Sequence, residues 1–149
     1  PRAARRAEAK ARDVASGRRG AIVIGSDQVA DLDGTVLDKP GTVHAAHEQL
    51  AASTGREVVF HTAVCVVDTR GEALVHVDET RVRFRELSAD DIARYVEREH
   101  PLDCAGSFKC EGLGIALFER IVNEDPTALV GLPLIATARL LRKAGIILP

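Results

Sequence analysis

An aspartate closes a short apolar run near the start of the chain. Ala21, Ile22, Val23 and Ile24 lead into Gly25, Ser26, Asp27 and Gln28. Such a run reads as a buried strand that ends at an open edge, and strand ends are where α/β folds place ligands. A carboxylate there is placed for metal or proton work, because nothing local explains a charge. Asp31 and Asp33 follow closely, and with Asp27 they make a set of hard oxygen donors for a divalent cation held together with substrate phosphates. Asp33 precedes Gly34, so it is a turn former first. Upstream, Lys10 and its arginine neighbours offer cations to phosphate. Downstream, Glu111 lies on a glycine-flanked loop. Its two oxygens match the two adjacent donors on the Watson–Crick edge of guanine, and a methyl group on N7 would make the purine cationic and favour a carboxylate further.

Several elements must position these groups. Arg2–Ser16 is rich in Ala, Arg, Glu and Lys and reads as a helix whose one large apolar residue is Val14. The central strand covers Ala21–Val29. Asp33-Gly34 is a tight turn between arms Val29–Leu32 and Thr35–Leu37. Thr42 is the N-cap of a helix through Ala52. Glu57–Asp68 and Ala73–Phe84 form a hairpin turning at Thr69-Arg70-Gly71. In its second arm Val75 and Val77 share one parity, Val82 and Phe84 the other, so a bulge is expected near Asp78–Thr80. Ser88, with Asp91 three residues on, opens a helix to about Glu99 that buries Ile92, Tyr95 and Val96. Asp103–Gly114 is a loop and Ile115–Val122 a strand. Asp125-Pro126 opens a helical turn. A last helix, Pro133–Ala144, is expected to bury Leu134, Ala138 and Leu141. The order predicts one α/β domain with a mixed sheet.

Composition sets bounds. The chain has 149 residues, a formal net charge of -2 and no tryptophan or methionine. One domain with a real core fits that length. The balanced charge argues against a general nucleic-acid binder, and no apolar run approaches bilayer length. Stacking on a base would fall to Phe or Tyr, or to a segment outside this chain. Cys65, Cys104 and Cys110 make an odd count without a CxxC pair, as in a reduced, cytosolic compartment. His100, Cys104 and Cys110 lack the paired spacing of a structural zinc site.

Three separated stretches, IGSDQV…DGTVLDKP, CAGSFKCEGLGIALFER and DPTALVGLP, resemble in this order the Maf family of nucleotide pyrophosphatases. The SFK-x-EG form looks like its 7-methyl-GTP branch. The resemblance implies an elongated mixed sheet flanked by helices with a central cleft (Maf/ITPase-like), often in a homodimer. It implies hydrolysis of a nucleoside triphosphate to the monophosphate and pyrophosphate with a divalent cation, Mg²⁺ or Mn²⁺. By position, Asp27 matches the family's catalytic and metal-binding Asp. Gln28 and Glu111 match residues tied to substrate choice, and Lys39 and Lys10 match phosphate-facing lysines. On this reading Asp27 and Glu111 share a pocket, and the protein is a cytoplasmic house-cleaning enzyme. The family opens with a strand and a Ser/Thr-rich, Arg-bearing phosphate loop. Those motifs are not among these residues, so the chain is expected to be a Maf-like domain shortened at its N-terminus.

Two other readings remain open. A non-catalytic nucleotide sensor, linked to the control of septum formation, would suit a chain without that loop. DLDGTVLD, Asp31–Asp38, resembles the first motif of the haloacid-dehalogenase phosphatases, in which the first Asp is a nucleophile and the second an acid/base.

Overall fold

The computed structural model describes residues 2–149. It is an α/β protein with a five-strand antiparallel sheet flanked by helices. The helices are α1 (Arg2–Ser16), α2 (Val43–Ser53), α3 (Ala89–Glu99) and α4 (Leu134–Lys143), and the strands β1 (Val23–Leu32), β2 (Thr35–Leu37), β3 (Glu57–Val67), β4 (Ala73–Phe84) and β5 (Phe118–Val122). Strand order across the sheet is β2-β1-β3-β4-β5. Two compact units emerge from the chain: residues to Gln28 with His61–Glu79 and Glu124 onward, and Val29–Phe60 with Thr80–Asn123.

In the first unit, α1 and α4 cover opposite faces of the strands. The reason lies in the pleat, which sends alternate side chains to opposite faces. Gly25 meets α1 so closely that an added Cβ would strike the Ala7 carbonyl and come within 2.8 Å of the Ala11 nitrogen. α1 therefore buries a stripe of small residues, Ala3, Ala7 and Ala11, at four-residue spacing. Val14 stays 49% exposed. On the other face, Ala136 and Leu140 of α4 pack on Val64 and Val66, with Ile22 and Leu74 beside them.

In the second unit, the four phenylalanines of the chain pack edge to face. Centroid separations are 4.8 Å for Phe60–Phe108, 4.9 Å for Phe108–Phe118 and 5.0 Å for Phe84–Phe118. None is left free to stack on a base, and Tyr95 is also buried. Of the two expected sources of a stacking surface, Phe or Tyr and a segment outside this chain, the packing disfavours the first. α2 and α3 pack on each other, and their caps are those expected. Thr42 accepts from the Ala45 N–H, and Ser88 and Asp91 form a reciprocal capping box.

Three local expectations fail, each for a physical reason. The inward parity of β4 runs unbroken from Leu74 to Phe84. No bulge forms near Asp78–Thr80, because Val75 and Val77 simply lie on the more exposed face, at 40% and 38%. In the pairing of β4 with β5 the register shifts later, between Arg83 and Phe84. Leu113–Leu117 is a 3-10 turn and not a strand, so β5 begins only at Phe118. α4 buries Ala136, Thr137 and Leu140 and leaves Leu134 exposed. Its burial phase is set by Asp125 instead, whose carboxylate accepts from the N–H groups of Thr127 and Ile135 and from the Thr127 hydroxyl.

Burial works to raise the Asp125 pKa, but the Thr127 hydroxyl and the Ile135 and Thr127 N–H groups together hold it below the usual range. A depressed folded-state value contributes stability that is present above the unfolded pKa and is lost as pH falls through the folded value. Wild type should therefore lose melting temperature below about pH 4, and Asp125→Asn should flatten that decline. A thermal melt series from pH 7 to pH 3 checks this, and identical slopes for both proteins would count against the anchoring role.

Candidate active site

Asp27 stands on β1 two residues beyond Gly25. Because Gly25 lets α1 lie directly on the strand, the basic side of the helix reaches the carboxylate. Lys10 Nζ donates to Asp27 Oδ1 at 2.9 Å and to the Ser26 carbonyl at 3.0 Å. Arg6, one helical turn earlier, brings Nη1 to 4.0 Å from Asp27 Oδ2. Asp27's side chain is 11% exposed. Its Oδ2 is buried and accepts no hydrogen bond among the described residues. A buried, unsatisfied carboxylate oxygen is costly, so one is retained where something else is to approach it.

Gln28 points to the opposite side of the strand. Its Nε2 donates to Thr62 Oγ1 at 2.9 Å and to the carbonyls of Leu129 and Ala128 at 3.1 and 3.3 Å. Both amide hydrogens are thus committed within the protein, which leaves Gln28 an acceptor through Oε1.

Lys39 and Glu111 belong to the second unit, where Gln49 of α2 ties their segments together. Its Nε2 donates to the Asp38 carbonyl at 2.8 Å, and its Oε1 accepts from Ser107 Oγ at 2.5 Å. Ser107 is fully buried and holds a left-handed φ of 62°, a conformation that a side chain adopts only when its surroundings enforce it. From there the Glu111 loop is fastened to α3, where the Lys109 N–H donates to Tyr95 Oη at 2.8 Å. At Gly112 an added Cβ would collide with the Glu99 carboxylate, and at Gly114 with the Lys109 backbone. Lys39 and Glu111 themselves are exposed. The Cys110 thiol donates to Glu111 Oε2 at 3.4 Å. Burial first, and then that carboxylate, push the Cys110 pKa up to about 11, so the group stays a thiol at neutral pH.

Asp31 and Asp33 serve the β1–β2 turn. Asp31 Oδ1 accepts from the Gly34 N–H at 2.7 Å, and Asp33 takes a left-handed φ of 49° and pairs with Arg56. This argues against an aspartyl nucleophile at Asp31. No group of three or more His, Cys, Asp or Glu gathers among the described residues. The buried Oδ2 of Asp27 is an oxygen without a hydrogen-bond donor among the described residues, and Mg²⁺ is an ion commonly held by one or two carboxylates with substrate phosphates and water.

The family model described as Maf-like protein matches residues 1–144. The chain belongs to the Maf family. Among its relatives, the 7-methyl-GTP pyrophosphatase of Xanthomonas oryzae pv. oryzae (strain MAFF 311018) is 59% identical over 147 residues, covering 99% of this chain and 77% of the relative. The 7-methyl-GTP pyrophosphatase of Aromatoleum aromaticum is 57% identical over 141 residues, 94% of this chain and 73% of the relative. That of Burkholderia thailandensis is 54% identical over 147 residues, 96% and 68% respectively. No helix among the described residues of this Maf chain is long and apolar enough to cross a membrane.

Two residues escaped the sequence reading as individuals. Arg6 was legible in principle, since it lies four residues before Lys10 on one helical face. Gln49 was not, because a polar residue inside an unremarkable helix gives no signal of what it will bridge. Gln49→Ala should lower turnover about tenfold while the melting temperature falls by only a few degrees, because both segments it holds lose their tether but the aromatic cluster remains. Steady-state kinetics beside a thermal melt checks this; unchanged kinetics would mean that the tether does not matter.

Proposed function

We propose that this Maf protein hydrolyses 7-methyl-GTP, or a closely related modified nucleotide, to the monophosphate and pyrophosphate. The observation that carries the reading is the free, buried Oδ2 of Asp27 beside two cations of α1. Water attacks the α-phosphorus, the bond to the pyrophosphate bridging oxygen breaks, and the proton of the attacking water passes to Asp27 Oδ2. Lys10 and Lys39 take up the charge that develops on the phosphate oxygens. Lys10, paired with Asp27 before substrate arrives, turns to the phosphates once they are present. Asp27 is also the residue that would hold Mg²⁺ or Mn²⁺, which, bound with the substrate, would supply neutralisation of phosphate charge and acidification of water.

Glu111 accepts two hydrogen bonds from the guanine edge, and Gln28 contributes an acceptor through Oε1. A wrong base leaves these groups unpaired, which is how polar sites discriminate. Glu111→Gln should therefore cut the preference for the methylated guanine by roughly ten- to a hundredfold while sparing other nucleotides. An unchanged substrate profile would remove Glu111 from base reading. The same proposal makes the protein a cytoplasmic homodimer with a house-cleaning role. Calorimetry with 7-methyl-GTP, run beside a pyrophosphate-release assay, tests the activity. Binding without release would instead favour a nucleotide sensor linked to septum formation.

A further inference from the structure

We infer that the second unit carries an anion site of its own, built from three arginines on and beside α3. Arg85, Arg94 and Arg98 line one cavity of about 210 Å³, whose remaining wall is Tyr95, Leu113, Ala116 and Leu117. Asp91 is the one carboxylate in that lining, and it is already engaged. Its Oδ1 accepts from Arg94 at 2.6 Å, and its Oδ2 accepts from the Ser88 N–H at 3.0 Å and from Arg85 at 3.3 Å. Within the lining, three guanidinium charges therefore stand against one carboxylate charge, a surplus of two positive charges, while Glu99 and Glu111 act on Tyr95 from outside it.

The arginines are also prearranged. Arg85 Nε donates to the Ala116 carbonyl at 3.0 Å and its Nη1 to the Glu86 carbonyl at 3.4 Å, which fixes the plane of the guanidinium. Arg94 and Arg98 lie four residues apart and so share one face of α3. Arg98 has no carboxylate partner among the described residues and keeps its donors for a ligand. Planar guanidinium forks suit phosphate oxygens. A cationic methylated purine would be repelled by the same charges. The ligand class is therefore a small phosphate-bearing anion, such as inorganic pyrophosphate, with room for a modest apolar portion against Leu113 and Leu117. Leu113 follows Glu111 by two residues, and Tyr95 Oη holds the Lys109 N–H, so an occupant would brace the Glu111 loop. The site stands on its own observations and holds whether or not the catalytic reading does.

The chain supplies its own reporter. It has one tyrosine and no tryptophan, so ultraviolet emission comes from Tyr95, in the cavity wall. Inorganic pyrophosphate should be titrated at constant ionic strength without added divalent cation, with sodium chloride as the control. The expected result is a saturable change in tyrosine emission that persists in Lys10→Ala. It should weaken about tenfold in Arg98→Ala, since a hydrogen bond to a charged group is lost, and recover in part in Arg98→Lys. Arg98 has no internal ion pair to lose, so its replacement should leave the fold intact, which a thermal melt verifies. No saturation beyond the chloride response, an unchanged midpoint in Arg98→Ala, or loss of the response in Lys10→Ala would each overturn the assignment.

Discussion

Replacing Asp27 by Asn should abolish pyrophosphate release, by ~10²–10⁴-fold, and leave the fold standing. The magnitude is that of a positioned general base. Asparagine keeps the shape and one acceptor for Lys10 Nζ, so the pairing at 2.9 Å is weakened but not sterically broken. What it removes is the basic lone pair at Oδ2, the buried oxygen to which no group donates among the described residues. The melting temperature should hold or rise slightly, because a buried carboxylate oxygen without a hydrogen bond is a cost in the resting protein. Full activity in Asp27→Asn would remove Asp27 from the chemistry. A collapsed melting temperature with no folded protein would instead show that Asp27 holds the structure together.

A second large effect is expected at a residue that touches no substrate. Gly25→Val should lower both stability and turnover. Even a single added carbon there would press on the Ala7 carbonyl and lie 2.9 Å from the Ala11 Cβ, and two of the three nearest atoms belong to helix backbone. Backbone cannot turn aside as a side chain can, so α1 must move as a body. Forcing volume into a packed contact typically costs about 1–3 kcal/mol, or roughly 2–4 °C of melting temperature per kcal/mol at this size. The displacement carries Lys10 and Arg6 away from Asp27, so turnover should fall further than the stability loss alone would explain. Gly25→Ala should give the same pattern in smaller measure. If Gly25→Val matched wild type in melting temperature and kcat/KM, close approach of α1 to β1 would not be what positions the cations.

These two sites show which parts of the molecule were legible in its sequence. Where a rule is local, the reading held. The reciprocal cap of Ser88 and Asp91, the Thr42 cap and the Asp33-Gly34 turn each rest on a few neighbouring residues. Asp27 was legible because a charge at the end of an apolar run has no local reason to exist. The close face of α1 was not, since Ala3, Ala7 and Ala11 are indistinguishable by type from exposed helix-forming alanines. Only their pairing with Gly25 on a strand reveals the contact. In β4, apolar type misled: Val75 and Val77 lie on the more exposed face, so counting valines implied a break that the burial pattern does not contain. In α4 the phase followed Asp125, which binds the N–H of a residue ten positions away, and no periodicity within the helix could announce that. The Glu111 loop was recognised from its glycines. Its fastening through Gln49, Ser107 and Tyr95 depends on tertiary partners from two other helices.

The product of the reaction tests the central claim most directly. Phosphorus NMR of 7-methyl-GTP incubated with the protein and Mg²⁺ should show the triphosphate signals replaced by those of pyrophosphate and a nucleoside monophosphate, one of each per nucleotide consumed. Orthophosphate as the phosphorus product, or an unchanged triphosphate in the presence of demonstrably folded protein, would contradict the account.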